Sequence, residues 1–445
     1  MSYPVFAQAD DEDPFAAIDQ MLDANFDTVD RSLEEQFEMI DQAMEQAYQR
    51  FGEEIEGRWG EKEVKLPDNN TWVDYSENLD LRRVLDFETG FIEIEQVVPR
   101  ETPPDPARLA QALAEVINEA QQHTPSDLRE KDTALVYATE SLAQDGVAIP
   151  EPATDSPSDT QPILEEVLDI SEDLREDIED KLASTTLHGA SANTSATAEV
   201  TAPVSDDALE PSSKASSEPS SAPVVNVRPL STTEQVISVR VPFKAGYQST
   251  LADRYIEAIR HEAARQQLPP SLLLAVMETE SSFNPRATSP IPAYGLMQLV
   301  PRSGAMDAYQ YVYGEKTLLG PDYLYQPGKN VELGSAYLSL LFNRYLRHVE
   351  NEDTRMICVI AAYNTGAGNV ARAFIGNNNV RDAARIINGM SPEEVYDYLR
   401  DNLPYEETRR YIQKVTVAQE KYRRYDNVGL GVARLTHTRS MDMQP

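Results

Sequence analysis

The sequence of 445 residues holds one cysteine, Cys358, and no run approaching eighteen consecutive apolar residues. The lone cysteine excludes an intramolecular disulfide framework and any cysteine-rich metal site. The missing apolar run excludes a transmembrane helix within these residues. Five histidines (His123, His188, His261, His348 and His437) are scattered and never spaced as ligands, so no metal and no cofactor is expected. Aromatic residues are absent from 138 to 242, a stretch rich in Ser, Thr, Pro, Ala and Asp/Glu. It cannot bury enough apolar area to offset chain entropy, which predicts a disordered acidic linker over residues 144–235. One island within it, Ile163, Leu164, Val167, Leu168, Leu174, Ile178 and Leu182, has the spacing of an acidic amphipathic helix.

Basic residues are scarce only in the first half. Residues 1–232 carry 15 Lys/Arg against 52 Asp/Glu, whereas residues 233–445 carry 24 against 23. The net charge of -36 therefore belongs to the first half. Such a surface repels nucleic acid and anionic lipid head groups, so a nucleic-acid partner is excluded. The second half has the ordinary balance of a folded domain.

What is present begins with periodicity. Phe15, Ile18, Leu22, then Phe26, Val29, Leu33, then Phe37, Ile40, Met44, then Tyr48, Phe51, Ile55 form an eleven-residue repeat, four times over. Eleven residues in three turns keep one apolar stripe along one helix face, which predicts a long helix over 14–57. The stripe can pack on the protein's own domains, the expected use, or serve as a seam for a second copy or a partner. Short strands follow at Lys65-Leu66-Pro67, Thr71–Tyr75, Arg83–Asp86 and Phe91–Glu95, with a hairpin across Asp86–Phe91. Helices over 105–122 and 127–143 complete a small α+β domain. Ile237–Val241 alternates like a strand and is expected to join that sheet across the linker. From about 250 to 425 the pattern is helical throughout. The main candidates are Leu251–Gln266, Ser271–Ser281, Val331–His348, Thr354–Asn364, Val370–Phe374 and Thr408–Tyr425.

Four segments of this helical domain can carry chemistry: Glu280–Pro285, Gly295–Gln298, Ala362–Gly366 and Glu407–Tyr411. Glu280 ends an apolar helix, where a half-buried carboxyl has its pKa raised, as a general acid at neutral pH needs. Glu278 lies two positions away and points to another side of the helix, so it is a poor second carboxylate. Gly295 permits close backbone approach. Met297 and Gln298 offer an apolar contact and an amide, and Tyr363 and Asn364 a ring and a hydrogen-bonding handle. Taken singly, each has a plainer explanation: a Glu at a helix end is usually a cap, and Tyr-Asn before Gly is usually a helix terminus.

Together, in this order, the segments resemble the lytic transglycosylase (SLT-type) family, which has a goose-type lysozyme-like fold. Its pattern E-S-x-F-N-P-x-A-x-S, A-x-G-L-M-Q, A-Y-N-x-G and E-[TS]-R-x-Y is met by Glu280–Ser289, Ala293–Gln298, Ala362–Gly366 and Glu407–Tyr411. Residues 60–98 resemble the N-terminal domain of the membrane-bound lytic murein transglycosylase C subgroup. The landmarks there are Trp59-Gly60, Val64–Pro67, Trp72–Tyr75 and Val84–Gly90. The resemblance implies a multidomain chain: residues 1–13 as the remnant of an export signal, a long helix and small α+β domain over 14–143, and the linker over 144–235. An all-α lysozyme-like catalytic domain over 236–427 and a tail over 428–445 complete it. It also implies cleavage of the β-1,4 bond between N-acetylmuramic acid and N-acetylglucosamine, with glycan strands of peptidoglycan as partner.

Most glycosidases need two carboxylates. Here Glu280 has no evident neighbour, and one carboxylate suffices if the sugar supplies the rest. The N-acetyl carbonyl would stabilise the oxocarbenium-like centre and the C6 hydroxyl would attack it, giving a 1,6-anhydro end. By the same resemblance Ser281 and Gln298 would hold sugar groups or orient Glu280, Met297 would pack against a sugar or beside the glutamate, and Tyr363 would stand near the N-acetyl group. Asn364 and Glu407 would bind saccharide or brace the site, Glu407 equally by pairing with Arg409 or Arg410. A hydrolase of the same bond would need Glu407 to activate water, and an inactive glycan-binding protein would have no use for Glu280. Murein lies outside the cytoplasmic membrane, which implies a periplasmic protein. Ala7-Gln8-Ala9 has the small-x-small pattern of a signal-peptidase site without a basic n-region before it. The expectation is an export signal upstream of Met1, with outer-membrane association if a lipidated cysteine lies there too.

Overall fold

The computed structural model describes residues 16–101, 112, 132–144, 167–168, 176–178, 180–181, 222–289 and 293–426, with side chains of the first helix described from Glu38 onward. The expectations for residues 1–13 and 428–445, most of 105–122 and most of the linker lie outside these residues.

The eleven-residue repeat forms one helix, α1 (Ala16–Trp59). Its later stripe, Ile40, Met44, Tyr48, Phe51 and Ile55, is buried with Trp59. It packs on α2 (Thr133–Gln144) and on Tyr294, Leu299 and Leu333 of the helical domain. The stripe thus serves packing on the chain's own domains from Ile40 onward.

Five strands make one antiparallel sheet: β1 (Thr71–Tyr75), β2 (Leu81–Asp86), β3 (Phe91–Pro99), β4 (Val224–Pro229) and β5 (Glu234–Pro242), in the order β1-β2-β3-β5-β4. The β2–β3 hairpin turns at Gly90, whose positive φ of 76° suits glycine and whose missing Cβ makes room for the Tyr247 ring. The strand expected around Ile237–Val241 is β5, and Ile94 pairs with Val239 across the linker. Two expectations need correction. Lys65-Leu66-Pro67 is not a strand, because Pro67 has no N–H for a ladder. Instead the Lys65 carbonyl accepts from the Tyr75 hydroxyl at 2.8 Å and its ammonium pairs with Glu95. The linker boundary at 235/236 is also wrong: β4 lies within it, and β4 and β5 both belong to the sheet. As an edge strand, β4 exposes Val224 and Val227 and ends at Pro229, so it lacks the alternation of a half-buried strand. Of the amphipathic island, Val167, Leu168 and Ile178 are buried in the core that holds Ile92 and Ile237.

The rest is helical: α3 (Tyr247–Gln266), α4 (Pro270–Ser281), α5 (Met306–Tyr313), α6 (Pro327–Leu340), α7 (Glu352–Thr365), α8 (Ala367–Ile375), α9 (Val380–Ile387), α10 (Pro392–Asn402) and α11 (Glu406–Tyr422). The single helix expected over Val331–His348 instead passes into a wider π turn at Leu341–Tyr345. Helix α4 is the axle. Leu272 through Met277 are wholly buried, apolar all round, which is the signature of a helix enclosed on every side. Cys358 is buried on α7 as a small apolar residue, and burial pushes its thiol up to about 12. Among the described residues no helix is long and apolar enough to cross a membrane.

Candidate active site

Pro270 opens α4 at a position that needs no amide hydrogen. Eleven residues later the helix ends abruptly. Ser282 and Phe283 both take positive φ, 50° and 66°. Two consecutive non-glycine residues in that region cost of order 1–3 kcal/mol each, so the surroundings must hold them. Phe283 is held by stacking on Tyr255 and by edge contact with Tyr422. The Ser282 amide caps the helix by donating to the Glu278 carbonyl at 2.9 Å. This turn leaves Glu280 on the last helical turn, with its carboxyl leaving the core.

Glu280 is partly exposed, yet protein surrounds its carboxyl closely enough for desolvation to dominate. Burial pushes its pKa up to about 8; the nearby Tyr411 hydroxyl, a donor that favours the charged form, opposes the rise, and the charge of Glu407 adds to it. The carboxyl is therefore mostly protonated at neutral pH. Tyr363 and Tyr411 both feel the charge of Glu280, and burial drives both phenols far above their ordinary range. They remain hydroxyls at any working pH.

The opposite wall is the turn Ala293–Gln298. Gly295 has φ of 75°, and a Cβ there would come within 2.3 Å of the Leu324 carbonyl and 2.5 Å of the Asn330 amide. Gln298 is also left-handed, at φ 46°. Asn330, fully buried on α6, staples the turn: its Oδ1 accepts from the Met297 amide at 2.7 Å. Its Nδ2 donates to the carbonyls of Tyr294 and Leu324 at 2.8 and 2.7 Å. The Tyr363 hydroxyl donates to the Met297 carbonyl at 2.8 Å, tying α7 to the turn.

Each residue expected at the site has a definite place. Glu280, Tyr363 and Glu407 come together. Ser281 needs correction as a sugar contact: it is fully buried, and its hydroxyl donates between the carbonyls of Met277 (3.0 Å) and Leu296 (2.7 Å). It braces the helix end against the turn. The Met297 side chain is likewise wholly buried, against Gly334, and acts at the site through its backbone only. Gln298 spends its amide hydrogens on the carbonyls of Ala287 and Gly295, both at 3.0 Å. Asn364 accepts from Thr408 at 2.7 Å, joining α7 to α11. Glu407 is exposed on the first turn of α11 and does not pair with Arg409 or Arg410. Arg409 donates to the Leu403 carbonyl and Arg410 to Glu406.

Three contributors escaped the sequence reading. Tyr411 stood in a quoted motif, but nothing in it aims the hydroxyl at Glu280. Asn330 is a lone amide among apolar helix residues, a weak signal of a buried staple. Asn69, in the turn before β1, donates from Nδ2 to the Glu280 carbonyl at 3.1 Å. No short-range pattern reveals a contact across that separation.

Residues 257–386 match the transglycosylase SLT domain, and residues 37–135 match the membrane-bound lytic murein transglycosylase C N-terminal domain. Among curated relatives, the membrane-bound lytic murein transglycosylase C of Klebsiella pneumoniae subsp. pneumoniae is 40% identical over 189 residues, 42% of this chain and 52% of the relative. The protein of the same name from Yersinia pestis (strain Pestoides F) is 44% identical over 174 residues, 39% of this chain and 48% of the relative. The chain thus spans about half the length of the curated relatives it matches. A solved 70 kDa soluble lytic transglycosylase from Escherichia coli is 18% identical, covering 72% of this chain and 44% of that one. Its TM-score of 0.30 is too low for the likeness to define the fold. By sequence, the chain thus matches the transglycosylase SLT domain and, before it, the N-terminal domain of the membrane-bound lytic murein transglycosylase C.

Proposed function

We propose that this chain is a peptidoglycan lytic transglycosylase with Glu280 as its single acid and base. The observation that carries the reading is the state of that side chain. It is a carboxyl at the end of a buried apolar helix, held protonated near neutral pH by burial, with the buried phenols of Tyr363 and Tyr411 near enough to feel its charge. The names of its relatives supply the substrate class, murein. Glu280 protonates the glycosidic oxygen between N-acetylmuramic acid and N-acetylglucosamine as the bond breaks. The N-acetyl carbonyl of the muramoyl residue stabilises the positive centre left at C1. The C6 hydroxyl of the same sugar then attacks C1, and its proton returns to the Glu280 carboxylate. The products are a free 4-hydroxyl on the leaving sugar and a 1,6-anhydromuramoyl end, with no water consumed and the acid restored.

The Tyr411 hydroxyl favours the carboxylate and so stabilises the intermediate charge state. The exposed charge of Glu407 favours reprotonation. The amide oxygen of Gln298 and the amide nitrogen of Asn364 are the polar groups that would meet sugar hydroxyls. Residues 243–426 form the catalytic unit, and the sheet with α1 supports it. The site works outside the cytoplasmic membrane, in the periplasm. A protein partner taken up by α1 would use the stretch before Ile40, because the later stripe is buried within the chain.

The test is Glu280→Gln with purified sacculi. Loss of cleavage by about 10³-fold or more, with binding to sacculi retained, is the expected result. Digestion at the wild-type rate would remove the assignment.

A further inference from the structure

Helix α4 ends with an orphaned group. In a continuing helix the Glu280 carbonyl would accept from the amide of residue 284, but the Asn284 amide turns back to the Ser281 carbonyl at 2.9 Å. The partner comes from the other domain: Asn69 Nδ2, at 3.1 Å. Beside it the Ser282 hydroxyl, on the first left-handed residue of the turn, donates to Asn70 Oδ1 at 3.0 Å. Two adjacent asparagines of the sheet domain thus grip the last residues of the catalytic helix and the left-handed turn that follows.

The grip is itself rigid. Asp68 Oδ1 accepts from the amides of Asn70 and Thr71 at 2.9 and 2.7 Å, a closed Asx turn. The Asp68 amide donates to the Thr71 carbonyl at 2.9 Å, and the Phe87 amide to the Asn70 carbonyl at 3.0 Å. The asparagines therefore project from a turn locked to β1 and to the β2–β3 hairpin. Near them Trp72 of β1 lies under the guanidinium of Arg286, 4.6 Å from its ring centre, so the domains also meet beyond the turn.

We propose that Asn69 is a positioning residue for catalysis: the sheet domain sets the place of the Glu280 carboxyl by binding that residue's own carbonyl. This rests on Glu280 being the acid and base, and it gives the N-terminal domain a part in the reaction. The chemistry demands a donor at position 69, since the group it meets is a carbonyl. Without it the last turn of α4 is free to relax, and the loosened turn lets water approach the carboxyl it carries.

The experiment uses the full chain and soluble glycan strands from purified peptidoglycan. Two variants are compared with wild type: Asn69→Ala, which removes the side chain, and Asn69→Asp, which keeps its shape and cannot donate when ionised. Both are expected to lower kcat by about tenfold, as small displacements of a reacting group do, with KM changed less than about twofold. In Asn69→Ala the alkaline limb of the rate profile moves to lower pH, because admitted water eases ionisation of Glu280. A contact that merely held the domains together would leave that limb in place. Wild-type kcat in both variants, or a fall in kcat with the alkaline limb of Asn69→Ala unmoved, overturns the inference and leaves the catalytic assignment standing. A wild-type chain that releases no product from murein overturns both. Should Asn69→Ala fail to fold, Asn69→Ser takes its place in both readouts, with the same expected losses.

Discussion

Replacing Glu280 by glutamine should stabilise the fold, and by an amount that grows with pH. The carboxyl has an ordinary value of 4.5 and is pushed up to about 8 in the folded chain. Between those values the folded state holds a proton that the unfolded state has lost, so stability falls as pH rises through the interval. Below about 4.5 both states are protonated and the penalty vanishes. Above about 8 it is complete. At about 1.4 kcal/mol per pH unit, the gap between 4.5 and about 8 amounts to about 5 kcal/mol in a dry site. Water reaching the partly exposed carboxyl reduces this to about 2–4 kcal/mol. Glutamine keeps the shape and never ionises, so it escapes the penalty. Urea denaturation of both full-length proteins, followed by circular dichroism of the helical domain, should show near-equal stability at about pH 4. At about pH 9 the variant should be ahead by that margin. A difference that stays constant between these two values would refute the reasoning, because it would mean that Glu280 titrates as an exposed carboxyl does.

Other outcomes follow from single contacts. Tyr411→Phe removes the hydroxyl that favours ionised Glu280, so the alkaline limb of the rate profile should move to higher pH, checked by initial rates on sacculi from about pH 5 to 9. Asn330→Ala removes the three hydrogen bonds that hold the Ala293–Gln298 turn and should cost about 2–4 kcal/mol, read by the same denaturation. Gly295→Ala forces a Cβ against the Leu324 carbonyl in a backbone conformation unkind to alanine. It should lower soluble yield or destabilise by about 2 kcal/mol or more.

Legibility in the sequence followed the range of the interactions. Helix α1 was readable because its repeat is strictly local and its stripe must face something apolar. The β2–β3 hairpin announced itself through Glu88-Thr89-Gly90, and β5 through the alternation of Ile237–Val241. Strand β4 was hidden because an edge strand with exposed valines and a terminal proline carries no alternating face. The short helices α5, α9 and α10 have polar surfaces and few buried residues, so their periodicity is weak. Glu280 stood out by its place at the end of an oily helix, reinforced by the family pattern. For Ser281 and Met297 the pattern left open whether the side chain meets sugar or braces the surroundings of Glu280. A motif lists the residues that surround a site without saying which present a side chain and which only a backbone. The contributions of Asn69 and Asn330 depend on contacts across the chain that no local pattern encodes.

The central claim is that Glu280 passes one proton from sugar to sugar while no water enters the reaction. It is tested most directly by digesting purified peptidoglycan with the full chain in water enriched in oxygen-18 and weighing the released ends by mass spectrometry. The account predicts 1,6-anhydromuramoyl ends that carry no heavy oxygen. Reducing muramoyl ends carrying one oxygen-18 atom would contradict it and make the chain a hydrolase.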